Sequence, residues 1–148
     1  MRTVKRCICI TTLMVALITA CDDDPLRPID VAGAYTLAEA AGQSLPAVLE
    51  ETAESSTLVA AGQLELSEDR SYTLSIDIEQ HFTGPENLIV RTTVSDGGRY
   101  ELIENDGIVL LSAQQGPTAV GSVSGSRVTV SRELPGFGDT EFDLSFSR

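Results

Sequence analysis

The side chains best suited to covalent chemistry in this sequence are three cysteines and one histidine. Cys7 and Cys9 lie inside an apolar run near the amino terminus, Cys21 follows that run directly, and His81 stands beside Phe82 ahead of a Gly-Pro turn. A hydrolytic triad needs a base, and a transition-metal site needs several closely spaced His or Cys ligands. A lone histidine at a strand end is more typical of a surface or packing residue, so we expect no enzyme, no metal site and no cofactor.

Carboxylates are abundant, and a converging pair inside a cleft would suit glycoside hydrolysis. Here they alternate with apolar residues along the candidate strands, which places them on the faces turned to water. The residues concerned are Glu65, Asp77, Glu79, Glu141 and Asp143. We interpret these carboxylates as a source of solubility.

The amino-terminal segment has the pattern of a secretory signal. A basic start, with Arg2, Lys5 and Arg6, precedes a run from Cys7 to Ala20 that is apolar apart from three threonines. A transmembrane helix needs about 20 mostly apolar residues, so this run is short for a permanent span. The sequence predicts a signal peptide at residues 1–20.

Leu17-Ile18-Thr19-Ala20-Cys21 resembles the lipobox of bacterial lipoproteins. The resemblance implies a thioether-linked diacylglycerol on Cys21, cleavage after Ala20 and an acylated new amino terminus; an ordinary secretory site with an incidental cysteine is the alternative. Several acyl chains on one residue make membrane attachment effectively permanent. We expect the protein in the cell envelope, lipid-anchored to the inner or outer membrane, with its domain in the periplasm or at the cell surface. Asp22 after the cysteine resembles an inner-membrane retention signal of enteric bacteria, which leaves the choice of membrane open.

Charge narrows the range of partners. The chain has 10 Lys and Arg against 22 Asp and Glu, and removal of the signal peptide leaves 7 against 22, a formal net charge of −15. Such a domain is repelled by phosphate backbones, so nucleic-acid binding is excluded. Residues 21–31, with two prolines and three adjacent acids after Cys21, predict a flexible acidic tether.

Period-two alternation dominates the domain at residues 32–148. Tyr72, Leu74, Ile76 and Ile78 alternate with polar residues, and the same pattern recurs near Leu64, Val90, Val128 and Phe142. Turn signals such as Asp96-Gly97-Gly98 and Asn105-Asp106-Gly107 separate these runs. The pattern predicts an all-β fold, a small antiparallel up-and-down barrel of about eight to ten strands. Near residues 46–55, one short helix that starts at Pro46 and a wide loop are both compatible with the sequence.

A barrel that spans the membrane is excluded by the residues on the outer face, because lipid-facing positions must be apolar. The positions between Tyr72, Leu74, Ile76 and Ile78 include Asp77, and those between Phe142 and Leu144 include Asp143. Water must therefore surround the barrel.

Several short motifs resemble small bacterial lipocalin-like lipoprotein domains. They are Gly33-Ala34-Tyr35-Thr36-Leu37, Gly42 to Pro46, Gly62 to Leu66, Gly121 to Val130 and the terminal Phe142 to Arg148. The resemblance implies a barrel closed at one end by an aromatic residue beneath an arginine from a late strand. Tyr35 stands where true lipocalins have Trp, and Arg127, Arg132 and Arg148 are the candidates for the arginine. Small envelope proteins of the META type share the opening motif.

Two functions remain open. In the first, the barrel binds a small hydrophobic ligand in an interior lined by Tyr72, Leu74, Ile76, Ile78, Leu88, Val90, Phe142 and Leu144. In the second, these side chains fill the core and the protein is a non-catalytic interaction or structural module with an envelope protein as partner. The loop from Leu134 to Asp139 would then provide a contact surface or a plug, and the burial of Phe137 distinguishes these two roles.

Overall fold

The computed structural model describes residues 30–114 and 116–148, with only the backbone at 116–118. The predicted signal peptide, the predicted lipidation site Cys21 and the predicted tether up to residue 29 lie outside the described residues. No helix long and apolar enough to cross a membrane occurs in the described part of the chain. Ten strands occur there: β1 (Gly33–Ala40), β2 (Gln43–Ser44), β3 (Ala47–Glu51), β4 (Ser55–Leu66), β5 (Ser71–Phe82), β6 (Ile89–Ile103), β7 (Gly107–Ser112), β8 (Gly116–Ser124), β9 (Arg127–Glu133) and β10 (Glu141–Ser147).

The strands form one antiparallel sheet that closes on itself. Its order is β2-β1-β10-β9-β8-β7-β6-β5-β4-β3, and β1 also pairs with β4, with Tyr35 opposite Leu64. The closed barrel contains eight strands, β1 and β4 to β10, and β2 and β3 are two extra strands in the connection between β1 and β4. Strands from β4 to β10 pair with their neighbours in sequence, so the predicted up-and-down antiparallel barrel is confirmed.

The stretch near residues 46–55, for which a short helix was compatible with the sequence, is extended and contains β3. Ala47 pairs with Val59 and Val48 pairs with Leu58, and Ala47 is completely buried. Strand pairing and the burial of Ala47 against Val59 outweigh the weak helical preference of the segment. The described residues contain no helix.

The barrel interior is filled by one alternating set of side chains from each strand. The largest fully buried side chains are Tyr35, Tyr72, Phe146, Leu64, Leu66, Ile76, Ile108, Leu110, Leu134, Leu144, Val59 and Val128. This set includes three rings, and Tyr100 of β6 and Val123 of β8, 3% and 2% exposed, complete the interior. Burial of these apolar surfaces is the main stabilising term of the fold.

One end of the barrel is closed around Tyr35. Its hydroxyl donates to the carbonyl of Val31 at 2.8 Å, and the Arg148 guanidinium lies 5.3 Å from the ring centroid. Arg148 also donates to the carbonyl of Ala32 at 2.8 Å. Of the three arginines considered as partners of Tyr35, Arg148 occupies that position, and this contact ties the last strand to the start of the first.

Three strands are longer than the barrel needs and extend past it at the opposite end. β4 and β5 have 12 residues and β6 has 15, while β7 pairs with β6 only from Gly98 to Ile103. Together with β3, the ends of these strands form a four-stranded extension of the sheet. We call residues 47–51, 55–59, 78–82 and 89–93 the arm.

Candidate functional site

The eight residues proposed to line a ligand cavity fall into three groups in the structure. Tyr72, Leu74, Ile76, Ile78 and Leu144 are buried in the core, and Phe142 is partly buried against it. These six side chains fill the interior. Val90 and Leu88 are 43% and 57% exposed. Leu88, expected inside the barrel, lies on the surface because the β5–β6 hairpin projects beyond the barrel wall.

A cavity of about 210 Å³ lies at the mouth of the barrel, between the arm and the β9–β10 loop. Ile78 and Val90 line it, together with Val94 and Phe137 and the polar residues Glu50, Thr57, Gln80 and Thr92. Of the eight proposed lining residues, Ile78 and Val90 line this cavity. The cavity lies at the mouth of the barrel and not deep inside it. The volume is below the roughly 300–1,000 Å³ of a drug-sized ligand site.

The β9–β10 loop closes the mouth from one side. Leu134 is buried, and the Phe137 ring packs edge to face on Phe142 with centroids 5.2 Å apart. The Phe137 N–H donates to the carbonyl of Leu134 at 3.2 Å, which fixes the turn. Because Phe137 is partly buried against the core, its ring acts as a plug on the barrel mouth, while the other residues at 135–139 are exposed.

A buried polar cluster crosses the interior just below this plug. An oxygen of the Asp96 carboxylate, Oδ2, is 3.3 Å from Nη1 of Arg132 and accepts from the Tyr72 hydroxyl at 3.0 Å. The other oxygen, Oδ1, accepts from the Ser112 hydroxyl and from the Gly97 N–H, both at 2.8 Å. The side chains of Arg132 and Asp96 are only 9% and 8% exposed. Both carboxylate oxygens are thus satisfied inside the barrel.

Sequence reasoning missed this cluster. The sequence predicts a turn at Asp96-Gly97-Gly98, and this is wrong, because the three residues lie in the middle of the continuous strand β6. The carboxylate is tolerated in a strand interior because four donors surround it, and Gly98 is required because a Cβ there would lie 2.0 Å from the Leu111 carbonyl oxygen. The alternation pattern does indicate that Asp96 faces inward, because it lies on the same face of the strand as Val90 and Val94.

The pKa of Asp96 lies below its usual value of 3.8. Burial raises the pKa, but the hydrogen bonds from Ser112, Tyr72 and the Gly97 N–H, and the charge of Arg132, together lower it by more. A carboxylate with a lowered folded-state pKa contributes stability that is present above its unfolded pKa and is lost as pH falls through the folded pKa.

We therefore expect the free energy of unfolding to decrease as the pH falls below about 4, and to decrease less in an Asp96→Asn variant. Urea titrations from about pH 6 to pH 2 monitored by tyrosine fluorescence would measure this. A wild-type pH dependence that persists unchanged in Asp96→Asn would show that other carboxylates are responsible.

A second charged cluster lies on the outer face of the arm. Oε1 and Oε2 of Glu79 are each 2.8 Å from a nitrogen, Nε of Arg91 and Nε2 of His81 respectively. The hydrogen bond from Arg91, and then that from His81, lowers the pKa of Glu79. Glu79 of β5 lies opposite Arg91 of β6, so these two residues form an ion pair between neighbouring strands. No group of three or more potential metal ligands occurs among residues 30–114 and 116–148.

The fold and its polar and apolar sites define the class of the protein as an eight-stranded, closed, antiparallel β-barrel domain. Comparisons of the chain with protein-family models, curated proteins and solved structures found no match.

Proposed function

We propose that this protein is a lipid-anchored, non-catalytic interaction module of a bacterial envelope, in which a filled barrel presents the arm to a protein partner. The observation that carries the proposal is the combination of a packed interior with exposed apolar side chains on a projecting hairpin. Tyr35, Tyr72 and Phe146 are each at most 1% exposed, so three large rings stand inside the barrel where a ligand would lie. Interiors packed in this way leave little room for cargo.

The envelope location rests on the resemblance of residues 17–21 to a lipobox and on the basic and apolar segments before it. Tyr35 beneath Arg148 supports the lipocalin-like resemblance, because a late-strand arginine crosses the opening aromatic residue there. Lipid on Cys21 would hold the domain at a membrane surface through the acidic tether. The formal charge of −15 after processing would keep the domain itself away from anionic lipids.

The arm supplies the contact surface in this proposal. Among the described residues, the large apolar side chains with substantial exposure are Val48, Phe82, Leu88, Ile89, Val90, Ile103 and Val120. Five of these seven lie in the arm or at its tip. A cluster of exposed apolar groups on one projection is a feature of protein-binding surfaces, whereas single exposed residues are ordinary.

A photo-crosslinking amino acid at Leu88 tests this surface. Val120 on β8 is the matched control, because the two side chains are 57% and 55% exposed. In the envelope of cells that produce the full chain, we expect a discrete protein adduct from position 88 and none from position 120. Equal crosslinking from both positions, or none from position 88, would contradict the proposal.

Binding of a small hydrophobic ligand at the barrel mouth is the second candidate, favoured by the apolar lining that Ile78, Val90, Val94 and Phe137 give to the cavity. Native mass spectrometry of the full chain in detergent, before and after exposure to a bacterial lipid extract, separates the two functions. The interaction module predicts the mass of the polypeptide with its own lipid only. An additional mass that organic extraction removes, and that a Val94→Trp variant fails to bind, would establish the ligand-binding alternative.

A further inference from the structure

In the described part of the chain, one side of β6 has no neighbouring strand over seven residues. The Phe82 N–H donates to the Leu88 carbonyl at 2.9 Å and the Tyr100 N–H to the Arg70 carbonyl at 2.8 Å, so even-numbered residues of β6 bond to β5. Odd-numbered residues point their backbone groups to the opposite side, where Gly97 accepts from Ala113 at 3.0 Å. Since β7 pairs with β6 only from Gly98 onward, no described strand faces Ile89–Ser95 on that side.

The side chains of this segment are exposed on both faces, with Val94 alone partly buried. The segment contains no proline or glycine, and its pairing with β5 has no bulge. Its one charge, Arg91, is paired with Glu79 at 2.8 Å. Natural proteins protect sheet edges with charges, prolines, bulges or short strands. This edge lacks the last three, and its single charge is neutralised by the ion pair with Glu79.

The other edge of the arm provides the contrast. β3 has only five residues, carries the adjacent acids Glu50 and Glu51, and has a register shift between Val48 and Glu50. These three features discourage strand addition. The arm therefore has one protected edge and one open edge, which indicates that the open edge is used.

We propose that the open edge of β6 pairs antiparallel with the same edge of a second copy of this chain, which gives a two-fold dimer with a sheet continuous from one barrel to the other. This inference rests on the proposed interaction function and names its partner. Two-fold contacts between identical surfaces are the commonest form of association between identical chains.

One register satisfies both faces of the new sheet. When the two-fold axis passes through Thr92, Arg91 lies opposite Thr93 of the second copy and Ile89 lies opposite its Ser95. Val90, which is exposed, then packs beside Val94 of the second copy on the face toward the barrel mouths. On the outer face, Arg91 approaches the Asp77 carboxylate to which Thr93 of that copy donates at 2.7 Å.

The two adjacent registers are worse for physical reasons. An axis through Arg91 would place this residue opposite itself, and like charges directly opposite each other are destabilising. An axis through Thr93 would place Val90 beside the buried Asp96 of the second copy. The net charge of −15 on each processed copy opposes association at low ionic strength. Because salt screens that repulsion, the dimer should strengthen between about 10 and 150 mM salt.

Variants that introduce like charges at two facing positions test the register. We expect the full chain in a non-ionic detergent to sediment as a dimer, and the Ile89→Lys/Ser95→Lys variant to dissociate, because each lysine then meets a lysine. An Ile89→Glu/Ser95→Glu variant should dissociate as well, and an equimolar mixture of the two should form a heterodimer. We expect the self-association of each variant to be at least about tenfold weaker than the association of the two variants with each other. A wild-type monomer at high concentration and 150 mM salt, or dimers that survive in both variants, would overturn the proposal.

Disulfide crosslinking provides an independent check of the axis. Thr92 would face its own symmetry mate as a non-hydrogen-bonded pair, with Cα atoms about 4.5 Å apart, which is within the range that a disulfide spans. We expect Thr92→Cys to form a covalent dimer under mild oxidation. Thr73→Cys is the matched control, since Thr73 is also an exposed strand threonine but its strand has neighbours on both sides. Equal crosslinking of the two variants would count against the proposed axis.

The failures of the two proposals are distinguishable. A monomer that still gives an adduct from Leu88 with a different protein would overturn the dimer and leave the interaction module standing. An extractable ligand in the barrel mouth would overturn the interaction module, whatever the sedimentation result.

Discussion

Arg132→Met should lower the free energy of unfolding by about 3–5 kcal/mol, the cost of leaving a buried charge without its partner. The variant keeps the volume of the side chain but removes the guanidinium 3.3 Å from Asp96. The Tyr72 and Ser112 hydroxyls and the Gly97 N–H would remain on the carboxylate. Urea unfolding at pH 7 monitored by circular dichroism measures the difference.

Two controls separate the buried ion pair from a loss of packing. Arg127→Met removes an arginine of β9 that is 53% exposed and lies 3.8 Å from Glu39, and such surface pairs contribute no more than about 1 kcal/mol. The double variant Arg132→Met with Asp96→Asn should recover stability relative to Arg132→Met, because no charge then remains buried. A loss that is the same in the single and double variants would assign the effect to packing.

The barrel could be predicted from the sequence because its signal is local. Alternation in segments such as Tyr72 to Ile78 identifies each strand and its inward face, and glycine and asparagine mark most connections. Since consecutive strands of an up-and-down barrel are neighbours, the order of strands in the sheet follows from their order in the chain. Closure then follows from the absence of a helix large enough to cover the sheet.

Other features depend on partners far apart in the sequence. Arg132 and Asp96 meet across 36 positions, and alternation assigns each to the interior without indicating that they pair. Leu88 is exposed because β6 is longer than β7 and extends past it. The apolar alternation at the start of β6 would look the same inside a barrel and on a projection, so the sequence does not distinguish the two. Tertiary context also decided Ala47 and Val48, whose pairing with β4 replaced a helix that local preference allowed.

The glycines inside the strands show how such distant contacts shape the barrel. Gly121 of β8 lies opposite Val130 of β9, and a Cβ at Gly121 would lie only 1.9 Å from the Thr129 carbonyl oxygen and 2.8 Å from the Val130 Cα. Both obstructing atoms belong to the backbone, so a side-chain rotation cannot relieve the contact. Close approach of two strands is one means by which glycine permits the curvature that closes a barrel.

Gly121→Ala should therefore lower the free energy of unfolding by about 3 kcal/mol or more, at the upper end of the range for overpacking, because β8 and β9 must separate locally. Gly84→Ala in the β5–β6 connection is the matched control: no atom lies within 4 Å of the added Cβ, and we expect a change within about 1 kcal/mol. Parallel urea titrations of the two variants measure the difference, and hydrogen exchange at the Thr129 and Ser131 amides, which face β8, should increase in Gly121→Ala alone. If both variants unfolded at the wild-type urea concentration, the β8–β9 approach would be wider than the structure has it, and the curvature of the barrel would need another cause.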